Sequence, residues 1–240
     1  MLPIRDLNPT RRTPILTYGL IAVNVLVFIW EMSLSQRQLE QAFFQLAAVP
    51  ANISSHPFSI ETILDIVRSM FLHGGYDHII GNMLYLWLFG DNVEDRLGKI
   101  LFIVLYFVSG FVAAFAQTAI DPKSTIPMIG ASGAIAGVLG SYFIMFPGVR
   151  VQGIVPLGFF STLSEWPAYL VLGLWFVLQV FSGFASLGAL AATGGVAVFA
   201  HIGGFLFGIA FTWIFMQIVP QPPAESRNQM LYRRSQRYRA

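Results

Sequence analysis

Six apolar stretches separated by polar punctuation organise this chain, at residues 14–30, 78–93, 100–120, 128–146, 166–184 and 196–219. A helix that crosses a bilayer needs about 20 mostly apolar residues, with a range of roughly 17–25, so each stretch is predicted to span a membrane. Pro14 suits the first turn of the first helix. The second stretch is short and ends on Asp91, Glu94, Asp95 and Arg96, while the fourth stops at Pro147-Gly148. The run from Trp166 to Val219 is too long for one span and divides at the small residues of 182–195. The 31–77 connection is long and apolar for a tether. Within it Ile60, Ile63, Leu64, Val67, Met70 and Phe71 recur at helical spacing, opposite Glu61, Thr62, Asp65 and Arg68. That pattern predicts an amphipathic helix, capped by Ser59 and partly immersed at the outer membrane interface. The predicted fold is all-α: a polytopic membrane protein of six transmembrane helices with a long, partly helical first outer loop. It divides into an N-terminal segment (1–13), a membrane domain (14–219) and a basic, disordered tail (220–240).

Composition agrees with the pattern. Of 240 residues 55% are hydrophobic and 11% charged, against about 25% charged in soluble domains. The absence of cysteine excludes disulfides and thiolate metal sites. Basic residues precede the first stretch, as in a signal peptide, but no small-x-small cleavage site follows Trp30, so the stretch reads as a retained span. Six spans put both termini on one side. That side carries eleven Lys and Arg (Arg5, Arg11, Arg12, Arg96, Lys99, Arg150 and the five arginines of the tail), against three opposite (Arg37, Arg68, Lys123). The positive-inside rule therefore places both termini in the cytoplasm. Trp30, Trp87, Trp166 and Trp213 fall near the expected interfaces.

The chemistry lies in the few polar residues inside apolar runs, where hydrocarbon makes them costly and hence functional candidates. Ser132 sits in Gly130-Ala131-Ser132-Gly133, within a stretch free of charge from 124 to 149, and His201 sits in a second such stretch, from 166 to 224. With alternate crossings, spans two, four and six all begin at the outer face. His78 then lies at that face, Ser132 about one turn below it, and His201 about two turns below, roughly 8–10 Å deep. His78 and Asn82 are four residues apart, so both donors share one helix face. Two convergent donors beside a serine are the parts of an oxyanion hole, to which the Ser132 N–H would add. His201 is the one residue of its run suited to general-base work near neutral pH. No carboxylate lies at matching depth, so a Ser–His dyad is predicted. Gly133-xxx-Gly137, Ala136-xxx-Gly140 and Gly204-xxx-Gly208 provide small faces for close approach of spans four and six. His73 is expected to pack beside the site, and His56 to be exposed.

At these residues the chain resembles the rhomboid intramembrane serine proteases. The resemblance rests on His73, His78-xxx-Asn82, Gly130-Ala131-Ser132-Gly133, Ala200-His201-Ile202-Gly203-Gly204 and Glu94-xx-Leu97-Gly98, in order along the chain. It implies a rhomboid-like bundle in which Ser132 attacks the scissile carbonyl and His201 serves as base, then acid. His78, Asn82 and the Ser132 amide would hold the oxyanion, with His73, Gly130, Gly133 and Gly204 supporting the site. It further implies cleavage of transmembrane protein substrates near the outer face, with lateral entry of substrate beside span five and small residues favoured before the cut. No metal or other cofactor is implied, and no nucleic acid partner. Two positions depart from the pattern. Some members carry a tyrosine four residues after the nucleophile, packed on the histidine, where this chain has Ala136. Many carry Trp-Arg in the first outer loop, a dipeptide absent here.

Two other classes compete. A catalytically silent rhomboid-like client binder typically lacks the serine or the histidine, and this chain has both. A transporter usually shows repeats and broken helices around a midplane site, and neither pattern is evident. The minimal layout favours a bacterial inner membrane.

Overall fold

The computed structural model describes residues 2–157, 160–188 and 197–219. The basic tail expected at 220–240 and the second half of the small-residue stretch before span six lie outside the described residues. The fold is mostly helical. A strand β1 (Leu2–Asp6) is followed by α1 (Ile15–Met32), then by α2 (Gln36–Leu46), α3 (Pro50–Ser55) and α4 (Ile60–Ser69) in the first connection. Next come α5 (Tyr76–Leu97), α6 (Lys99–Ile120), α7 (Ser132–Met145), the strands β2 (Arg150–Leu157) and β3 (Phe160–Pro167), α8 (Ala168–Gly188) and α9 (Val198–Ile218). By length and composition, α1, α6, α8 and α9 are each able to cross a membrane. The stretches expected as spans two and four are α5, which carries charge at its end, and α7, a shorter apolar helix of 14 residues.

α7 is the centre of the bundle. It is buried at almost every position from Gly133 to Tyr142, so it has no polar face and needs none. At 1.5 Å per residue it is about 21 Å long; buried on all sides, it has little need to match the bilayer thickness itself. Its small residues bring backbones together. A Cβ on Gly204 would collide with the Gly133 carbonyl oxygen and come within 3.1 Å of its carbon, and one on Gly208 would meet Gly137. Likewise a Cβ on Gly140 would strike the Phe205 carbonyl. The small faces expected on spans four and six are thus the α7–α9 contact. The buried Ser141 and Thr212 hydroxyls, 2.5 Å apart, join the two helices lower down.

At one end of the bundle the expected all-α architecture needs correction, because β1, β2 and β3 form an antiparallel sheet. Val151, Gly153 and Val155 alternate with Arg150, Gln152 and Ile154 along β2, the period-two pattern of a strand. In a chain dominated by apolar helices so short an alternation reads as loop. β1 lies against β2 (Leu2↔Ile154, Asp6↔Val151) and is tied to α5 by the Asn92 amide, which donates to Asp6 Oδ2 at 2.7 Å. Span five accordingly starts at Ala168, since Trp166 and Pro167 belong to β3. Two more helix starts shift: residues 128–131 precede α7 in non-helical conformation, and α9 begins three residues before His201.

The first connection is a folded cap. α4 begins where Ser59 accepts the Thr62 amide at 3.1 Å, the N-cap bond expected there. The side it turns to the bundle differs from most of its apolar stripe. Thr62, Ile66, Ser69 and the following Met70 are buried, whereas Ile60, Ile63 and Leu64 are exposed. Ser69 links this cap to the site strand: its hydroxyl accepts the Ala48 amide at 2.6 Å and its carbonyl accepts the Gly130 amide at 2.8 Å. Met128 donates back to the Ala48 carbonyl at 2.8 Å.

Candidate active site

Ser132 is the first residue of α7, not one turn inside it, because the chain reaches it through Gly130 at φ 118°. That left-handed backbone favours glycine. A side chain there would also collide with His78, whose Cε1 is 2.7 Å from the ideal Cβ position. Gly130 therefore lets the imidazole of His78 lie against the backbone just before Ser132. The N–H groups of the first turn of a helix have no intrahelical acceptor, so those of α7 are presented at this point.

His201 sits one turn into α9 and is buried. Its Nε2 lies 2.7 Å from Ser132 Oγ, and its Nδ1 lies 2.8 Å from Gln179 Oε1 on α8. The start of α9 is held from α6, where Gln117 Oε1 accepts the amides of Phe199 and Ala200 at 3.1 and 3.3 Å. This gives the first-turn Phe199 amide an acceptor in an apolar setting, while the Ala200 amide also reaches the Ala197 carbonyl at 3.1 Å. Gly133 and Gly204 allow the approach of α7 to α9 directly below the pair.

On α5, His78 and Asn82 project towards Gly130, to which both lie adjacent. The His78 Nδ1 accepts the Gly74 amide at 3.4 Å, an arrangement that leaves Nε2 to carry the hydrogen. The Asn82 amide nitrogen is buried and has no hydrogen-bond partner among the described residues. An orphaned buried donor is costly, so its place beside Ser132 is informative. His73 packs its ring edge on His78 with centroids 5.1 Å apart. It is held by its amide, which donates to Glu31 Oε1 at 2.9 Å, and by its Nδ1, which donates to the Phe71 carbonyl at 3.2 Å. Burial, and secondarily the neighbouring His78, push His73 down to about 4, against the pull of the Phe71 carbonyl. It is therefore a neutral packing residue near pH 7. His56 is exposed.

A cavity of about 50 Å³ opens beside Ser132, lined among others by Met70, Ala113, Gly133 and Ala200. The predicted residues Ser132, His201, His78, Asn82, His73, Gly130, Gly133 and Gly204 are thus all brought to one place. Gln179, Gln117 and Glu31 join them and were not anticipated. Gln179 had a visible signal, as the only amide in the apolar run from Tyr169 to Ser186.

A helical membrane protein with a serine–histidine pair held between two tightly packed helices is the class that fold and site define. The chain belongs to the rhomboid family: the Rhomboid domain matches residues 61–218. Members of this family are generally intramembrane serine proteases. Similar proteins include Rhomboid protein 1, mitochondrial, of Saccharomyces cerevisiae, 28% identical over 210 residues that cover 85% of this chain and 54% of the yeast protein. RHOMBOID-like protein 4 of Arabidopsis thaliana is 33% identical over 60% of this chain and 32% of its own length. Rhomboid protease GluP of Bacillus subtilis is 36% identical over 32% of this chain and 14% of its own length. The chain therefore spans about half the length of the yeast relative and less of the others.

Proposed function

We propose that this protein is an intramembrane serine endopeptidase that cuts transmembrane proteins near the outer membrane face with a Ser132–His201 dyad. The observation that carries the reading is the 2.7 Å contact between Ser132 Oγ and His201 Nε2, made near the Asn82 amide nitrogen, which has no hydrogen-bond partner among the described residues. In this mechanism the Ser132 hydroxyl attacks the scissile carbonyl carbon as its proton passes to Nε2. Negative charge then develops on the carbonyl oxygen, which His78 Nε2–H, Asn82 Nδ2–H and the Ser132 amide are placed to hold. The imidazolium gives its proton to the leaving amine. Water, deprotonated by the same nitrogen, releases the acyl group from Oγ. The cavity beside Ser132 has room for a few water-sized volumes, which suits a small side chain before the cut. No metal or other cofactor takes part.

In the bilayer, α5 and α7 complete a six-span layout with α1, α6, α8 and α9. The asymmetry of basic residues favours an orientation with both termini in the cytoplasm and the site towards the outer face. The apolar exposed side of α4 (Ile60, Ile63 and Leu64) then rests on the outer interface. A bacterial inner membrane is the setting we propose; membrane fractionation of the source cell is the check. The catalytic reading is tested by offering a single-span reporter to wild type and Ser132→Ala in liposomes. A discrete product that disappears in the variant is expected. Equal product from both, or none from several reporters, returns the chain to the non-catalytic client binders. A fluorophosphonate probe should label wild type and fail to label His201→Ala.

A further inference from the structure

A histidine that acts as a base through Nε2 must carry its hydrogen on Nδ1 and hold its ring plane still. Ala136, four residues after Ser132, does neither: it is buried against α9, with its Cβ 3.3 Å from where a Gly204 Cβ would stand. Both tasks fall instead to α8. Gln179 Oε1 faces His201 Nδ1 at 2.8 Å. An amide oxygen accepts and cannot donate, so this contact selects the Nδ1–H tautomer and turns the Nε2 lone pair to Ser132. One turn earlier on the same face of α8, Trp175 covers the ring, with centroids 5.9 Å apart. Trp175 is itself seated on Phe205 at 5.8 Å, and Phe205 is stacked on Phe176 at 4.6 Å.

We propose that Gln179 is the positioning residue for His201, taking the place of an acid in the dyad and of an aromatic residue after the nucleophile. The proposal rests on Ser132 and His201 being the reacting pair. It gives α8 a part in the chemistry although that helix is the least embedded of the four long apolar ones, with 22% of its apolar window buried against 39% for α6 and α9. A Cβ on Gly173 would meet the Phe143 side chain at 3.7 Å and one on Gly183 the Phe199 side chain at 3.4 Å, whereas α7 and α9 meet backbone to backbone. A displacement of α8 by about 1 Å lengthens the Gln179 contact past hydrogen-bonding range, so the tautomer is set only while α8 is seated.

The bland alternative is that Gln179 merely joins two helices, as buried amides in membranes do. Gln179→Leu and Gln179→Glu separate the two, since the second keeps an oxygen at the position. For wild type, Ser132→Ala and both variants, kcat and KM are measured on the single-span reporter, along with the fluorophosphonate labelling rate and thermal stability in detergent. A wrong tautomer is severely limiting in triad enzymes. We expect Gln179→Leu to lower kcat and the labelling rate by about 100-fold with KM changed less than about twofold, and Gln179→Glu to recover most of the loss. Nitrogen NMR of ¹⁵N-histidine protein should show His201 protonated at Nδ1 in wild type and in Ser132→Ala, and a tautomer mixture in Gln179→Leu. Unchanged kcat in Gln179→Leu, or equal loss of activity and stability in both variants with the tautomer retained, overturns the proposal. Cleavage that does not depend on Ser132 overturns the catalytic reading instead, and the tautomer comparison still decides the role of Gln179.

Discussion

The α7–α9 contact permits a quantitative test, and Gly208→Ala is the sharpest form of it. A Cβ at this position would lie 2.9 Å from the Gly137 Cα and 2.7 Å from its carbonyl carbon, and closer still to the oxygen. Non-bonded carbons are at their optimum near 3.5–4.0 Å. The clash is with backbone, which has no rotamer to change, so the helices must part by roughly 1 Å. Two effects compete. Alanine gains about 1 kcal/mol of helix propensity over glycine, and overpacking costs about 1–3 kcal/mol or more. With both backbones rigid the second should win. Gly19→Ala on α1 supplies the control, because a Cβ there meets nothing within 4 Å and only the propensity gain remains. Thermal unfolding in detergent should show Gly19→Ala at or above wild type and Gly208→Ala several degrees below it, at about 2–4 °C per kcal/mol for a chain of this size. Gly208 lies seven residues beyond His201 on α9, about 10 Å along the helix. Parting α7 from α9 therefore also loosens the 2.7 Å Ser132–His201 contact. A misplacement of 1 Å costs on the order of 100-fold in rate, and kcat/KM on the reporter should fall by about that much. A Gly208→Ala protein as stable as Gly19→Ala and fully active would refute the claim that backbone contact between these helices sets the site.

Other expectations follow from single contacts. Asn82→Ala should lower kcat about 100- to 1,000-fold with little change in KM, the loss typical of one oxyanion donor, as read from reporter cleavage; an unchanged kcat rules out that role. Glu94 accepts the Leu16 amide at 3.1 Å and the Thr17 amide and hydroxyl at 2.8 Å each, capping α1 where Pro14 offers no side-chain bond. Glu94→Ala should therefore cost at least about 3 kcal/mol in denaturant or thermal unfolding, because three donors lose their acceptor at about 1–3 each; a loss below about 0.5 kcal/mol, the scale of a neutral surface change, contradicts the capping. His73 is held near 4 by burial. Its folded pKa lies below the unfolded value, so the unfolded chain binds more protons between the two. Stability from this group is full above about pH 6.5 and is lost as pH falls towards 4, by at most about 3 kcal/mol. Thermal unfolding between pH 7 and 4 should show that slope in wild type and a shallower one in His73→Asn; identical slopes refute it.

What the sequence revealed of this protein, and what it hid, follows from the solvent. Ser132, His78, Asn82 and His201 stood out because hydrocarbon makes each costly, and depth along predicted spans was enough to group them. Gln179 was as conspicuous, but a neutral amide has no proton chemistry of its own, and only its distance to His201 shows its use. Glu94 read as the end of a span because the amides it caps belong to another helix, seventy-eight residues away in the case of Leu16. The side that α4 turns to the bundle is instructive, because its apolar periodicity left that side open. In water, Ile60, Ile63 and Leu64 would turn inward. At a membrane the apolar side has a second apolar partner, so hydrophobicity does not choose between protein and lipid. The bundle side is instead marked by groups that lipid cannot satisfy, Thr62 and Ser69, whose hydroxyls donate to the His56 and Asp65 carbonyls at 2.8 and 2.7 Å. The same logic made the α7–α9 contact legible. Small residues give no advantage facing lipid and are needed where backbones meet, so Gly133, Gly137, Gly140, Gly204 and Gly208 marked the contact that the apolar residues around them could not. In such a chain polarity and smallness carry the information about packing, and apolarity reports only that the segment is in the membrane.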